Sequence, residues 1–165
     1  MEKYRIIIAI SFLTFLISCA TVPKEEKIVI TGKFSWTEWK NKSGWEHFTT
    51  DEYNPGQFLT EQIGEISKSS NIKYLIFSGS WCGDSKTEVP KLFKLFENAR
   101  INSEQIELMG VDREKREPSG IAEQFLIEKV PTLVILKNNS ELGRIVEFPT
   151  TSWEEDIFKI LLTDK

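Results

Sequence analysis

Beyond Tyr53 the apolar residues fall into alternating helical and extended periods. Phe58, Leu59, Ile63 and Ile66 recur at helical spacing behind Asn54-Pro55, predicting a helix that closes at Lys68-Ser69-Ser70-Asn71. Ile72 to Phe77 is an apolar run of strand length, and Ser78-Gly79-Ser80-Trp81 reads as a loop leading to Cys82. A second helix follows, with Val89, Leu92, Phe93 and Phe96 on one face and Pro90 predicting a kink about two turns in. Next come a strand over Ile106–Asp112, a charged loop and a short helix near Ser119 to Leu126. After Val130-Pro131-Thr132 the pattern predicts a strand over Leu133–Leu136, a turn at Lys137-Asn138-Asn139-Ser140 and a strand over Leu142–Phe148. A last helix runs from Ser152 to Leu162, opened by the capping box Ser152-x-x-Glu155.

The order from residue 54 is therefore α-β-α-β-α-β-β-α. Helical crossovers make strands parallel, whereas a four-residue turn joins the last two strands as an antiparallel hairpin. The expected class is α/β, with a central mixed β-sheet and helices on both faces. Upstream, two readings stand side by side: Ile28-Val29-Ile30 has the look of a strand, and Ser35-x-x-Glu38 that of a capping box opening a short helix through Trp39. Trp36, Trp39 and Trp45 cluster in the same stretch. Large aromatics more often cover a core edge than form an exposed partner surface, so residues 28–53 are expected to pack on the domain at 54–165. His47, a single histidine beside Phe48, reads as incidental.

The amino terminus has a different pattern. A short cationic stretch, Met1-Glu2-Lys3-Tyr4-Arg5, precedes an almost wholly apolar run from Ile6 to Ile17. As a helix, Ile6 to Cys19 would cover about 21 Å, short of a hydrocarbon core of about 30 Å. It reads as a cleaved secretory signal over residues 1–18. Leu16-Ile17-Ser18-Cys19 resembles a bacterial lipobox, which makes Cys19 the first mature residue and the lipidation site. Residues 19–27 are then a polar tether, and two or three acyl chains hold such a protein on a membrane where one would not. The expected location is the periplasmic side of the cell envelope, and Ala20 after the Cys matches outer-membrane sorting.

Composition narrows the chemistry. The chain has 165 residues, enough for one domain with a real core, and a net charge of −4 that argues against nucleic acid as ligand. One histidine and two cysteines exclude a zinc site and a disulfide scaffold. With Cys19 acylated, Cys82 is the single free thiol and no internal disulfide forms.

Trp81-Cys82-Gly83-Asp84-Ser85 at a strand-to-helix junction, Pro90 eight residues past the cysteine and Val130-Pro131-Thr132 in the right topological order resemble the thioredoxin superfamily. The resemblance covers roughly residues 54–162 and is greatest to extracytoplasmic bacterial thioredoxin-like lipoproteins, with a downstream Gly-Arg-Ile-Val-Glu at Gly143 to Glu147. It implies a thioredoxin-like fold, a catalytic set of Cys82, Ser85 and Pro131, and a substrate-binding set of Trp81, Gly83, Asp84, Val130 and Thr132. A cysteine at the first turn of a helix meets unpaired N–H groups and the positive end of the dipole, which favour the thiolate. The Ser85 hydroxyl is expected to assist and Asp84 to oppose. Gly83 leaves room for a substrate backbone, and a cis Val130–Pro131 bond would set a non-donating ring beside the sulfur.

Two residues depart from the family pattern. Ile76 stands where thioredoxins carry a buried acid six residues before the reactive cysteine, and Ser85 stands where they carry the resolving cysteine. Net disulfide reduction needs two thiols, so the leading expectation is exchange through mixed disulfides, either shuffling or small-thiol-dependent. The partner is a thiol- or disulfide-containing protein or a small thiol, with membrane contact through the lipid on Cys19. No cofactor, metal or nucleic acid is called for. The alternative class is a non-catalytic binding or scaffold module of the envelope. Iron–sulfur binding through Cys-Gly-x-Ser is disfavoured by Trp81 and by the absence of a diglycine turn before the last helix.

Overall fold

The computed structural model describes residues 28–45, 50 and 52–163. The signal segment, Cys19, the tether through residue 27 and His47 lie outside the described residues. The chain runs β1 (Gly32–Phe34), α1 (Trp36–Ser43), α2 (Gln57–Ser69), β2 (Ile72–Ser78), α3 (Gly83–Asn98), a 3-10 turn, β3 (Ile106–Gly110), α4 (Ile121–Gln124), β4 (Thr132–Lys137), β5 (Ser140–Val146) and α5 (Trp153–Leu162). The sheet order is β1-β3-β2-β4-β5. β2 and β3 are parallel, and the other neighbours are antiparallel. Asn138 and Asn139 take positive φ of 51° and 65°, as a two-residue hairpin turn demands, and close β4 onto β5.

β2 is largely apolar, with Lys73 and Ser78 near its two ends, because both of its faces are covered. On one face Tyr74, Ile76, Leu108, Leu133 and Ile135 share a core with Trp39 of α1, Ile63 of α2, Leu92 of α3 and Ile157 of α5. On the other, Leu75, Phe77, Met109, Val134 and Leu136 meet Ala122 of the short α4 together with Ile127 and Val130. Helices lie on both faces, four against one. Glu117, nearly buried, fixes α4 by accepting backbone N–H groups of Ser119, Ile121 and Ala122.

Several boundaries differ from the sequence expectation. α2 begins at Gln57 with Gly56 as its N-cap rather than at Asn54-Pro55. The Gly56 N–H is instead taken by the Glu154 carboxylate of α5. Phe58 does not join the core and is 70 % exposed, because α2 buries a narrow stripe of Thr60, Ile63, Gly64 and Ser67. That stripe is small because α2 closes on the end of α3, where a Cβ at Gly64 would collide with the Ala99 carbonyl. Val89, Leu92 and Phe96 of α3 are buried as their spacing predicts, together with Leu95, while Phe93 is half-buried and stacks on Trp36 with ring centroids 4.4 Å apart. α3 continues through Pro90.

In the amino-terminal stretch the capping box prevails. The Ser35 hydroxyl accepts from Glu38 N–H and the Glu38 carboxylate accepts from Ser35 N–H, opening α1. Ile28-Val29-Ile30 is not a strand; Ile28 and Val29 are exposed, and the extended backbone pairs only from Gly32, against β3. Trp39 and Trp45 are fully buried and meet edge-to-face at 5.4 Å, covering the β1–β3 edge of the core. Gly110 is required beneath them: a Cβ there would lie 2.5 Å from the Trp39 ring and 2.6 Å from the Ile30 carbonyl.

Candidate functional site

β2 delivers the chain to the site. After Ser78 the backbone turns through Gly79, whose carbonyl accepts the Cys82 N–H at 2.9 Å. Cys82 is the N-cap of α3 in an extended conformation, and its own carbonyl receives Lys86 N–H, the first bond of the helix. The half-exposed sulfur therefore sits where the first N–H groups of α3 point. Gly83 and Asp84 are exposed on the first turn, and a Cβ at Gly83 would meet nothing within 4 Å. A substrate backbone has room there.

Facing the sulfur is the loop before β4. Val130–Pro131 is a cis peptide, and Cys82 Sγ donates to the Val130 carbonyl at 3.3 Å. The loop is braced from both sides. Thr132, buried, donates its hydroxyl to the Lys129 carbonyl, the Pro131 carbonyl accepts Glu147 N–H at 2.7 Å, and Lys129 pairs with Glu147. Trp81 flanks the cysteine; its indole N–H donates to the Val111 carbonyl at 3.0 Å, and Arg113 and Lys115 lie 5.1 and 5.9 Å from its ring. Cys82, Trp81 and Val130 thus pack together, with Gly83, Pro131 and Thr132 next to them along the chain.

The Cys82 sulfur bonds the Val130 carbonyl, and neither Ser85 nor Ile76 contributes a hydrogen bond to it. Ser85 is fully buried one turn into α3, and its oxygen accepts Gly79 N–H at 3.2 Å, so the hydroxyl is engaged with the loop rather than with Cys82. The helix rotates that position inward, and the buried Gly79 N–H needs an acceptor. Ile76 is fully buried between Leu108 and Leu133 in the sheet register, with no carboxylate in its place. The nearly buried carboxylates of Glu88, Glu117 and Glu154 each hold other groups: Glu88 takes the Trp153 indole N–H and Lys91, and Glu154 takes Gly56 N–H and the Tyr53 hydroxyl. Among the described residues no three His, Cys, Asp or Glu side chains converge as metal ligands.

Part of the site was not predicted. Ser80 accepts Ile30 N–H and donates to the Ile28 carbonyl, pinning the amino-terminal stretch to the loop before Cys82. As a result the end of α1, with Lys42 and Trp45, forms one wall of a groove of about 490 Å³ whose other wall is Ser80, Trp81, Cys82 and Lys86. A lone serine in a loop carries no signal of a partner fifty residues upstream.

Residues 38–158 match the family model described as Thioredoxin. The chain is 26 % identical over 98 residues to thioredoxin H2 of Arabidopsis thaliana, covering 59 % of this chain and 69 % of that one. It is 29 % identical over 96 residues to thioredoxin 2 of Plasmodium berghei, spanning 58 % of each. Among solved structures, oxidised mitochondrial thioredoxin 3 from Saccharomyces cerevisiae is similar with a TM-score of 0.37 and 24 % identity, covering 52 % of this chain and 74 % of that one. The family match runs from α1 into α5 and takes in the cysteine turn and the cis-proline loop together, and on that ground the chain belongs to the thioredoxin family.

Proposed function

We propose that this protein performs thiol–disulfide exchange through one sulfur, that of Cys82. The observation that carries the reading is the half-exposed Cys82 Sγ at the N-cap of α3, held 3.3 Å from the carbonyl of a cis-proline loop. The thiolate attacks one sulfur of a substrate disulfide, the Cys82–substrate bond forms as the substrate S–S bond breaks, and the expelled thiolate takes up a proton. Electrons are redistributed with no net reduction of the pair. Release needs a second thiol from outside the chain, because Ser85 is a buried hydroxyl and is no nucleophile toward a disulfide. The missing acid at Ile76 fits that scheme, since no resolving thiol has to be deprotonated.

Anchoring at Cys19 belongs to the same reading. Eight residues lie between Cys19 and Ile28, nine steps of chain, so the tether reaches at most about 30 Å. Since Ser80 holds Ile28 two residues before Cys82, the reactive end of the domain stays close to the membrane face. The exchange is tested by incubating the protein with a neutral disulfide and reading intact mass: a persistent adduct on Cys82, discharged by added thiol and absent from Cys82→Ser, is expected. Failure of wild type to form it favours the scaffold alternative.

A further inference from the structure

β5 holds the loop that faces Cys82 at both of its ends. Where the α4–β4 connection starts, Arg144 donates to the Phe125 carbonyl at 2.9 Å while its other nitrogens hold Glu141. Where the connection ends, Glu147 makes two contacts that straddle the Val130–Pro131 bond: its carboxylate accepts from Lys129 at 2.7 Å, and its N–H donates to the Pro131 carbonyl at 2.7 Å. Glu147 has a φ of 62°, and Phe148 N–H closes on the Val146 carbonyl at 2.8 Å, making a three-residue turn around it. Glycine would take that left-handed backbone without strain, whereas glutamate bears a steric cost there. The turn follows directly on the Thr132–Val146 pair, and Thr132 also pairs with Phe77, so it stands at the cysteine end of the sheet. What a glutamate brings that a glycine would not is the carboxylate on Lys129.

Resting on the exchange proposed above, we infer that Glu147 is a positioning residue for that reaction, acting through Lys129 and Pro131 on the loop whose Val130 carbonyl meets the Cys82 sulfur. The pair fixes where Val130 stands before a disulfide arrives. A polypeptide disulfide has to fit between that loop and the sulfur, whereas a small alkylating agent does not. A loop held in place beforehand spares the ordering that binding would otherwise require. Lys129 and Glu147 are both partly exposed, so their ion pair adds little to global stability. Its effect is local: exchange should depend on it and unfolding should not.

The test compares two reactions of Cys82 on the full chain. One is attack on an end-blocked Gly-Cys-Gly peptide joined through its cysteine to 2-thiopyridine. The Cys82 thiolate bonds the peptide sulfur, the peptide–thiopyridine S–S bond breaks, and pyridine-2-thione leaves, takes up a proton and is read by absorbance. The other is alkylation by iodoacetamide, whose rate reports the sulfur alone. Cys82→Ser gives the background of both, including any reaction at Cys19. Dividing exchange by alkylation removes any change in thiolate fraction that an altered charge near the sulfur would bring. Lys129→Gln and Glu147→Lys are each expected to lower the quotient at least about fivefold with the urea midpoint unchanged, and Glu147→Lys combined with Lys129→Glu should return it to within about twofold of wild type. Either single variant keeping the wild-type quotient would overturn the inference and leave exchange standing. A quotient that falls only together with the urea midpoint, or that the exchanged pair does not restore, would assign these residues a structural role and overturn it as well. If wild type reacts with the peptide no faster than Cys82→Ser, the exchange reading falls and this inference with it.

Discussion

At Cys82 and Ser85 the local chemistry is decided by which way two neighbouring turns of one helix face. Cys82 keeps its sulfur outside as the N-cap, while Ser85 is rotated into the protein and accepts Gly79 N–H. Ser85→Cys should therefore place a second sulfur beneath the first and convert accumulation of a mixed disulfide into turnover of a model disulfide, read by release of the substrate thiol. Sulfur is a weak acceptor, so the same variant should lose about 1–2 kcal/mol in denaturant unfolding as the Gly79 bond weakens. The motif residues Trp81 to Ser85 and Val130 to Thr132 were legible because their types are unusual in sequence order. The partner of Ser85 was not, since a hydroxyl three residues after a cysteine says nothing about which side of the helix it faces. Glu154 supplies a pH test. Burial raises its carboxyl, but the Gly56 N–H, its own backbone N–H and the Tyr53 and Ser152 hydroxyls outweigh that and hold it below the ordinary glutamate value. A depressed folded value stabilises the protein above the unfolded value of about 4.3 and is lost as pH falls through the folded one. Glu154→Gln should destabilise by about 1–2 kcal/mol at neutral pH and narrow its gap to wild type as the solution is acidified, measured by denaturant melts across pH 2–7.

Among the elements, those with strong periodicity were readable and those defined by a neighbour were not. β2, α3 and the β4–β5 hairpin follow from an apolar run, an i, i+3, i+4, i+7 stripe and a two-asparagine turn. α2 was misread at its start and on its exposed side: Phe58 fits the helical period but points to solvent, because Gly64 draws the helix onto Ala99 along a different stripe. Gly64→Ala should accordingly destabilise by about 1–3 kcal/mol although alanine is the better helix former, since the obstacle is a backbone carbonyl that moves only with α3. Urea unfolding decides it, and a neutral or stabilising result would contradict the close α2–α3 packing. β1 was misplaced for a related reason. The apolar triplet Ile28-Val29-Ile30 has strand composition, but the β-pairing that defines β1 begins at Gly32, opposite Gly110, where Trp39 covers the sheet edge. Trp39→Ala should cost about 3–5 kcal/mol, with loss of near-ultraviolet dichroism from the Trp39–Trp45 pair.

For the molecule as a whole, element order alone was enough to identify a mixed sheet with helices on both faces, because crossover and hairpin rules leave few alternatives. What no local pattern contains is the seam between the amino-terminal stretch and the cysteine loop, built by one serine hydroxyl on two backbone groups. That seam links the proposed anchor to the proposed site, and native mature protein is expected to begin at Cys19 with the added mass of acyl chains; an unmodified start elsewhere would remove the anchor. The central claim is that Cys82 acts alone. Intact mass with peptide mapping, after incubation with 2-hydroxyethyl disulfide, tests it most directly. The account predicts one adduct at Cys82 that persists until an external thiol is added. An unreacted Cys82, or catalytic turnover of the disulfide with no mixed disulfide at that residue, would contradict it.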